Sequence, residues 1–154
     1  MTRARHHEEP TISHLAVQAT LHCLTGCGIG EVLGLGGATL LGLGNLVSVV
    51  LGIVLAYVFG YGLTLVPLLR TGMPFVRASG VTLAAETLSI TTMEIVDNAV
   101  VLTVPGAMDA GLADILFWAS LAISLALAFV AALPVNRWLI ARGLGHAIVH
   151  AGHS

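Results

Sequence analysis

Seven residues inside long apolar stretches carry groups that bind protons or metal ions. Cys23, Cys27 and Glu31 lie in one stretch, and Glu86, Met93, Glu94 and Asp97 in another. Two thiols, a thioether and four carboxylic acids make a ligand set for a transition metal, and the sulfurs favour copper(I) or zinc(II) over calcium or magnesium. No lysine or arginine shares these stretches. A lone carboxylate in hydrocarbon costs at least ~3 kcal/mol on insertion scales, so an ionisable residue there marks a functional site by default. Without a basic partner, these acids must be protonated, hydrated or bound to a cation.

Spacing gathers the groups. Cys23, Cys27 and Glu31 follow an i, i+4, i+8 row that covers about 80° of a helix. Gly26, Gly30, Gly34, Ala16 and Ala19 overlap that arc. Small residues at spacing four let another helix backbone approach closely, so the thiols and Glu31 should point into a bundle. In the other stretch Glu86, Met93 and Asp97 share a narrow face bordered by Glu94, while Leu88, Ile95, Ala99 and Leu102 make the opposite, apolar face. Counted from the same end at ~1.5 Å per residue, Cys27 and Glu94 lie roughly 20 Å deep, and Glu31 and Asp97 roughly 26 Å. The two helices run in the same direction, so Cys23 and Cys27 are expected to face Met93 and Glu94. His22 lies about 100° off the cysteine face, which leaves open whether it joins the site or bonds a neighbouring helix instead.

These residues need helices that span a bilayer. The chain has 154 residues, of which 56% are hydrophobic and only 9% charged. Its mean hydropathy is +0.96. Soluble domains carry about a quarter charged residues, so the composition indicates an all-α membrane protein. Four transmembrane helices fit, each near the ~20 residues that hydrocarbon requires. They run over about 15–36, 46–69, 81–104 and 115–140. The glycine-broken linker 36–45, a turn at 70–77, and Pro105-Gly106 with Asp109 and Asp114 separate them. Asp114 suits an N-cap. Residues 1–13 and 143–154 form tails on either side of a transmembrane domain over 14–142. Pro67 and Pro134 should bend or end their helices. The row Ser120, Ser124, Ala128 suits helix packing.

All six basic residues are arginines: Arg3, Arg5, Arg70, Arg77, Arg137 and Arg142. In a four-span chain they fall on one side, which the positive-inside rule makes cytoplasmic, so both termini are expected in the cytoplasm. Trp118 and Trp138 are 20 residues apart, roughly 30 Å of helix, and suit anchors at the two interfaces. There is no basic stripe for nucleic acid. The segment His6-His7-Glu8-Glu9-Pro10 precedes an apolar run too long for a signal-peptide core and without an A-x-A site. His6, His7 and His14 in one tail, and His146, His150 and His153 in the other, could collect metal but read better as solvated side chains.

The segments His22-Cys23-Leu24-Thr25-Gly26-Cys27-Gly28-Ile29-Gly30-Glu31, Met93-Glu94-Ile95-Val96-Asp97-Asn98, Pro105-Gly106-Ala107-Met108-Asp109 and Pro134-Val135-Asn136-Arg137-Trp138 resemble blocks of a bacterial membrane family known as domain of unknown function 4396. The resemblance covers nearly everything after the N-terminal tail. It implies a small multi-helix inner-membrane protein and leaves the activity to the residues.

The leading functional expectation is binding or transport of a transition metal, copper first and zinc second. Cys23, Cys27 and Met93 would be soft ligands, with Glu31, Glu86, Glu94 and Asp97 as further ligands or gates. The alternatives are a proton or cation conduit using the acids alone, and an accessory or scaffold subunit whose polar residues only pack helices. A homo-oligomer through the small-residue faces would fit either. No catalytic constellation stands out. A membrane thiol oxidoreductase is the weakest alternative, because the pair is a Cys-x3-Cys in mid-span rather than an exposed Cys-x-x-Cys. The topology is directly testable: a reporter fused to either terminus should give a cytoplasmic signal in cells, and a periplasmic signal from either end refutes the assignment.

Overall fold

The computed structural model describes residues 11–144. Its order is α1 (Ile12–Leu40), α2 (Asn45–Arg70), α3 (Phe75–Thr103), a short 3-10 turn (Ala107–Asp109) and α4 (Ile115–Ala141). α1, α2 and α4 are long and apolar enough to cross a membrane. α3 is as long as α1. Its three acids and its run of hydroxyl residues make it less apolar.

Local sequence sets the helix ends. Thr11 caps α1 by accepting from the His14 N–H at 3.3 Å. α1 then runs through Gly36-Gly37 to Leu40, further than the linker glycines suggest. It stops where Gly42 adopts φ +66° and the Leu43 N–H reaches the Ala38 carbonyl at 2.9 Å. Gly72 repeats the device after α2 with φ +85°. Both positions need glycine because a Cβ disfavours the left-handed region. The turn before α3 is shorter than the sequence suggests: the helix begins at Phe75, directly after Pro74, and Arg77 lies in its first turn. Pro134 stands inside α4, which continues to Ala141. Asp114 precedes α4 in the N-cap position, but its carboxylate accepts from the Gly111 N–H at 2.7 Å rather than from the helix.

Neighbouring helices alternate in direction. Gly26, Gly30 and Gly34 of α1 meet Gly60, Ala56 and Gly52 of α2 in antiparallel register. A Cβ on Gly26 would lie 2.8 Å from the Gly60 backbone, and one on Gly34 would lie 2.5 Å from Gly52. The small-residue face of α1 is therefore covered by α2 of the same chain, not by α3 or a second copy. The reason is volume: α3 presents Glu86, Met93 and Glu94 toward the interior, whereas α2 offers glycine and alanine at the matching spacing. α1 and α3 run parallel and stand further apart. α4 closes the bundle through Ser120, Ser124, Ala128 and Ala132, all buried.

The outer faces are apolar. Leu88, Ile95 and Leu102 of α3 are exposed on the side opposite its acids. Trp118 and Trp138 stand at opposite ends of α4, both half-exposed. Arg142 stacks over the Trp138 ring at 4.8 Å. Arg70, Arg77, Arg137 and Arg142 share the bundle end formed by the α2–α3 turn and the end of α4. Replacing Gly30 by valine should force α1 and α2 apart and destabilise the protein by about 1–3 kcal/mol. Thermal unfolding in detergent should show a lower midpoint for Gly30→Val, and none for Gly62→Val, where the added side chain meets open space.

Candidate functional site

The interior between α1 and α3 is a column of polar groups in three layers. Nearest the arginine-bearing end, the Cys23 thiol donates to Glu86 Oε2 at 2.9 Å. The Thr64 hydroxyl donates to Glu86 Oε1 at 2.6 Å. His22 Nε2 lies 3.0 Å from the Thr64 hydroxyl oxygen. With the Thr64 proton directed at Glu86, the His22 ring nitrogen is the donor of that bond. His22 thus bonds α2 and joins the Glu86 layer through Thr64. Cys23 and Glu86 are fully buried. Hydrogen bonds from α1 and α2 satisfy both oxygens of an acid carried by α3.

The middle layer is sulfur. Cys27 Sγ and Met93 Sδ are 4.0 Å apart, and both side chains are buried. The Glu94 carboxyl lies alongside Cys27. Its Oε2 accepts from Asn98 Nδ2 at 3.4 Å, while Oε1 is buried without a partner. Cys27 therefore faces Met93 and Glu94 at the depth the residue count gave. Cys23 does not: one helical turn separates the thiols, about 6 Å along the axis, so the lower one meets Glu86.

The third layer lies toward the α1–α2 and α3–α4 loops. The Ser124 hydroxyl makes a short hydrogen bond to Asp97 Oδ1. Asp97 Oδ2, Glu31 Oε1 and Ser120 Oγ are buried without hydrogen-bond partners. All three residues line one half-enclosed cavity of about 50 Å³, together with Asn45, Ser48 and Met108. Glu31 fits because position 52 is glycine: a Cβ there would lie 3.2 Å from the carboxylate. Asn45 Nδ2 donates to Asp109 at 2.9 Å and ties the two loops together.

The seven residues singled out by sequence therefore share one column but not one centre. Among the described residues, no three His, Cys, Asp or Glu side chains converge as a metal-binding cluster. His14 is exposed near the start of α1. His6, His7, His146, His150 and His153 lie outside the described residues. Sequence reasoning missed Thr64, and assigned Ser120 and Ser124 to packing alone. Thr64 and Ser124 are hydroxyls whose role comes from an acid on a neighbouring helix, while Ser120 lines the cavity. A hydroxyl ladder also joins α2 to α3, with Tyr57 and Tyr61 bonded to Thr91 and Thr87 at 2.6 and 2.8 Å.

A helical bundle with apolar outer faces and an acid- and sulfur-bearing core defines a polytopic membrane protein. The sequence profile described as domain of unknown function (DUF4396) matches residues 14–145, and the chain belongs to that family. Neither a search of curated proteins nor one of solved structures finds a match.

The lowest layer makes a clear energetic demand on Thr64. Replacing it by valine removes the bonds to both His22 and Glu86 and should cost about 1–2 kcal/mol. Thermal unfolding of Thr64→Val should show a larger drop in midpoint than Thr103→Val, which removes only bonds to carbonyls of its own helix.

Proposed function

We propose that this protein spans the bacterial inner membrane four times, with both termini cytoplasmic, and binds or passes a transition-metal ion through its core. Copper is the first candidate and zinc the second. The four-span topology is supported by α3, whose acids face inward while Leu83, Leu88, Ile95 and Leu102 face outward. It is supported also by the shared end of the four described arginines.

The observation that carries the metal reading is the buried Cys27–Met93 sulfur pair, 4.0 Å apart and flanked by Glu94. A thiolate and a thioether select copper(I), which accepts few ligands. Zinc(II) favours four donors in tetrahedral array, and this layer offers fewer. Charge points the same way: one copper(I) neutralises one thiolate, so the pair enters an apolar core at low cost. Cys23 and Glu86, hydrogen-bonded to each other a turn away, would serve as a second stop or as a gate.

The conduit reading draws on a different observation, the hydrogen-bonded chain from Cys23 through Glu86 and Thr64 to His22. A scaffold would be expected to pair its buried polar atoms, and Glu31, Glu94, Asp97 and Ser120 each retain an unpaired oxygen.

Elemental analysis of protein purified without oxygen tests the metal reading. Wild type should hold copper near one ion per chain, Cys27→Ser should lose it, and Met93→Leu should bind at least roughly tenfold more weakly. Binding displaces the thiol proton, so affinity should fall as pH drops from 7 to 5. Equal, negligible metal in wild type and Cys27→Ser would replace this reading by the conduit.

A further inference from the structure

We infer that Glu31, Asp97 and Ser120 form a separate site for a hard divalent cation at the loop end of the bundle. Three residues that line one cavity each carry a buried oxygen with no hydrogen-bond partner: Glu31 Oε1, Asp97 Oδ2 and Ser120 Oγ. They come from α1, α3 and α4, so the fold itself assembles them. Asp97 and Ser120 are only 3% and 4% exposed, which makes their unpaired oxygens costly unless something occupies the cavity.

The chemistry of the lining selects the occupant. All three unpaired donors are oxygens, and carboxylate, hydroxyl and water ligands suit magnesium, calcium or manganese(II) rather than copper(I). Two carboxylates match a double positive charge. The cavity of about 50 Å³ has room for roughly three to five waters at 10–15 Å³ each, enough for an ion that keeps part of its hydration shell. Ser124 holds Asp97 through its other oxygen and leaves Oδ2 without a hydrogen-bond partner. Gly52 leaves space for the Glu31 carboxylate. Cys27 and Met93 are absent from the lining, whose sulfur comes from Met108 alone, so this site stands whether or not the Cys27–Met93 pair binds copper.

Manganese(II) alone is the probe, added to the full chain in nanodiscs of uncharged lipid and followed by the loss of the free-ion electron paramagnetic resonance signal. Wild type should bind one manganese(II) per chain, with magnesium and calcium competing. Glu31→Gln should weaken binding at least roughly tenfold, and Ser120→Ala, which removes a neutral oxygen, roughly threefold to tenfold. Cys27→Ser should bind manganese(II) as wild type does, which separates this site from the proposed copper pair. If Glu31→Gln fails to fold, wild type and Ser120→Ala decide the matter. Absence of manganese(II) binding in wild type, unchanged affinity in Ser120→Ala, or loss of binding in Cys27→Ser would each overturn the proposal.

Discussion

The bundle interior holds Glu86, Glu94 and Asp97 and not one lysine or arginine. Much of the remaining architecture answers that constraint. A buried carboxyl needs hydrogen-bond donors for its oxygens, and in an apolar interior they must come from adjacent helices. Thr64 and Cys23 supply them to Glu86. Ser124 supplies one to Asp97, and Asn98 supplies one to Glu94. The pairing is most complete near the arginine-bearing end and least complete near the loops, where the unpaired oxygens meet a cavity.

The glycine seam between α1 and α2 sets the distances that make this possible. Backbone contact along Gly26, Gly30 and Gly34 draws α2 against one side of α1. α3 then packs on α1 through long side chains instead of backbone. The gap between these parallel helices is filled by the thiols, the acids and Met93. A close seam on one side and a side-chain-filled seam on the other is a direct consequence of where the small residues fall. It also means that Gly26, Gly30 and Gly34 are buried against α2 of the same chain.

The layers differ in the ligands they present. Glu31, Asp97 and Ser120 line the cavity, and the Cys27–Met93 sulfur pair is buried in the middle of the bundle. This ordering follows hydration. Charged oxygen groups lose most on desolvation, so a position beside a cavity suits them, while thiol and thioether groups behave nearly as hydrophobes.

Much of this was legible in the chain itself. Hydropathy marked the helices because hydrocarbon demands about twenty apolar residues per crossing. The i+4 row of Cys23, Cys27 and Glu31 marked the inward face of α1, and equal residue counts on parallel helices placed Cys27 level with Glu94. Those features follow from the 3.6-residue period and the fixed rise of a helix, which are local properties. The tertiary structure alone decided which helix takes the glycine face, because that depends on the volumes facing it from α2 and α3. It alone decided that Cys23 pairs with Glu86 rather than Met93. It also gave Thr64 and Ser124 their acid partners. A hydroxyl in an apolar helix bonds whatever acid lies across the seam, and no single helix carries the information that fixes its neighbour.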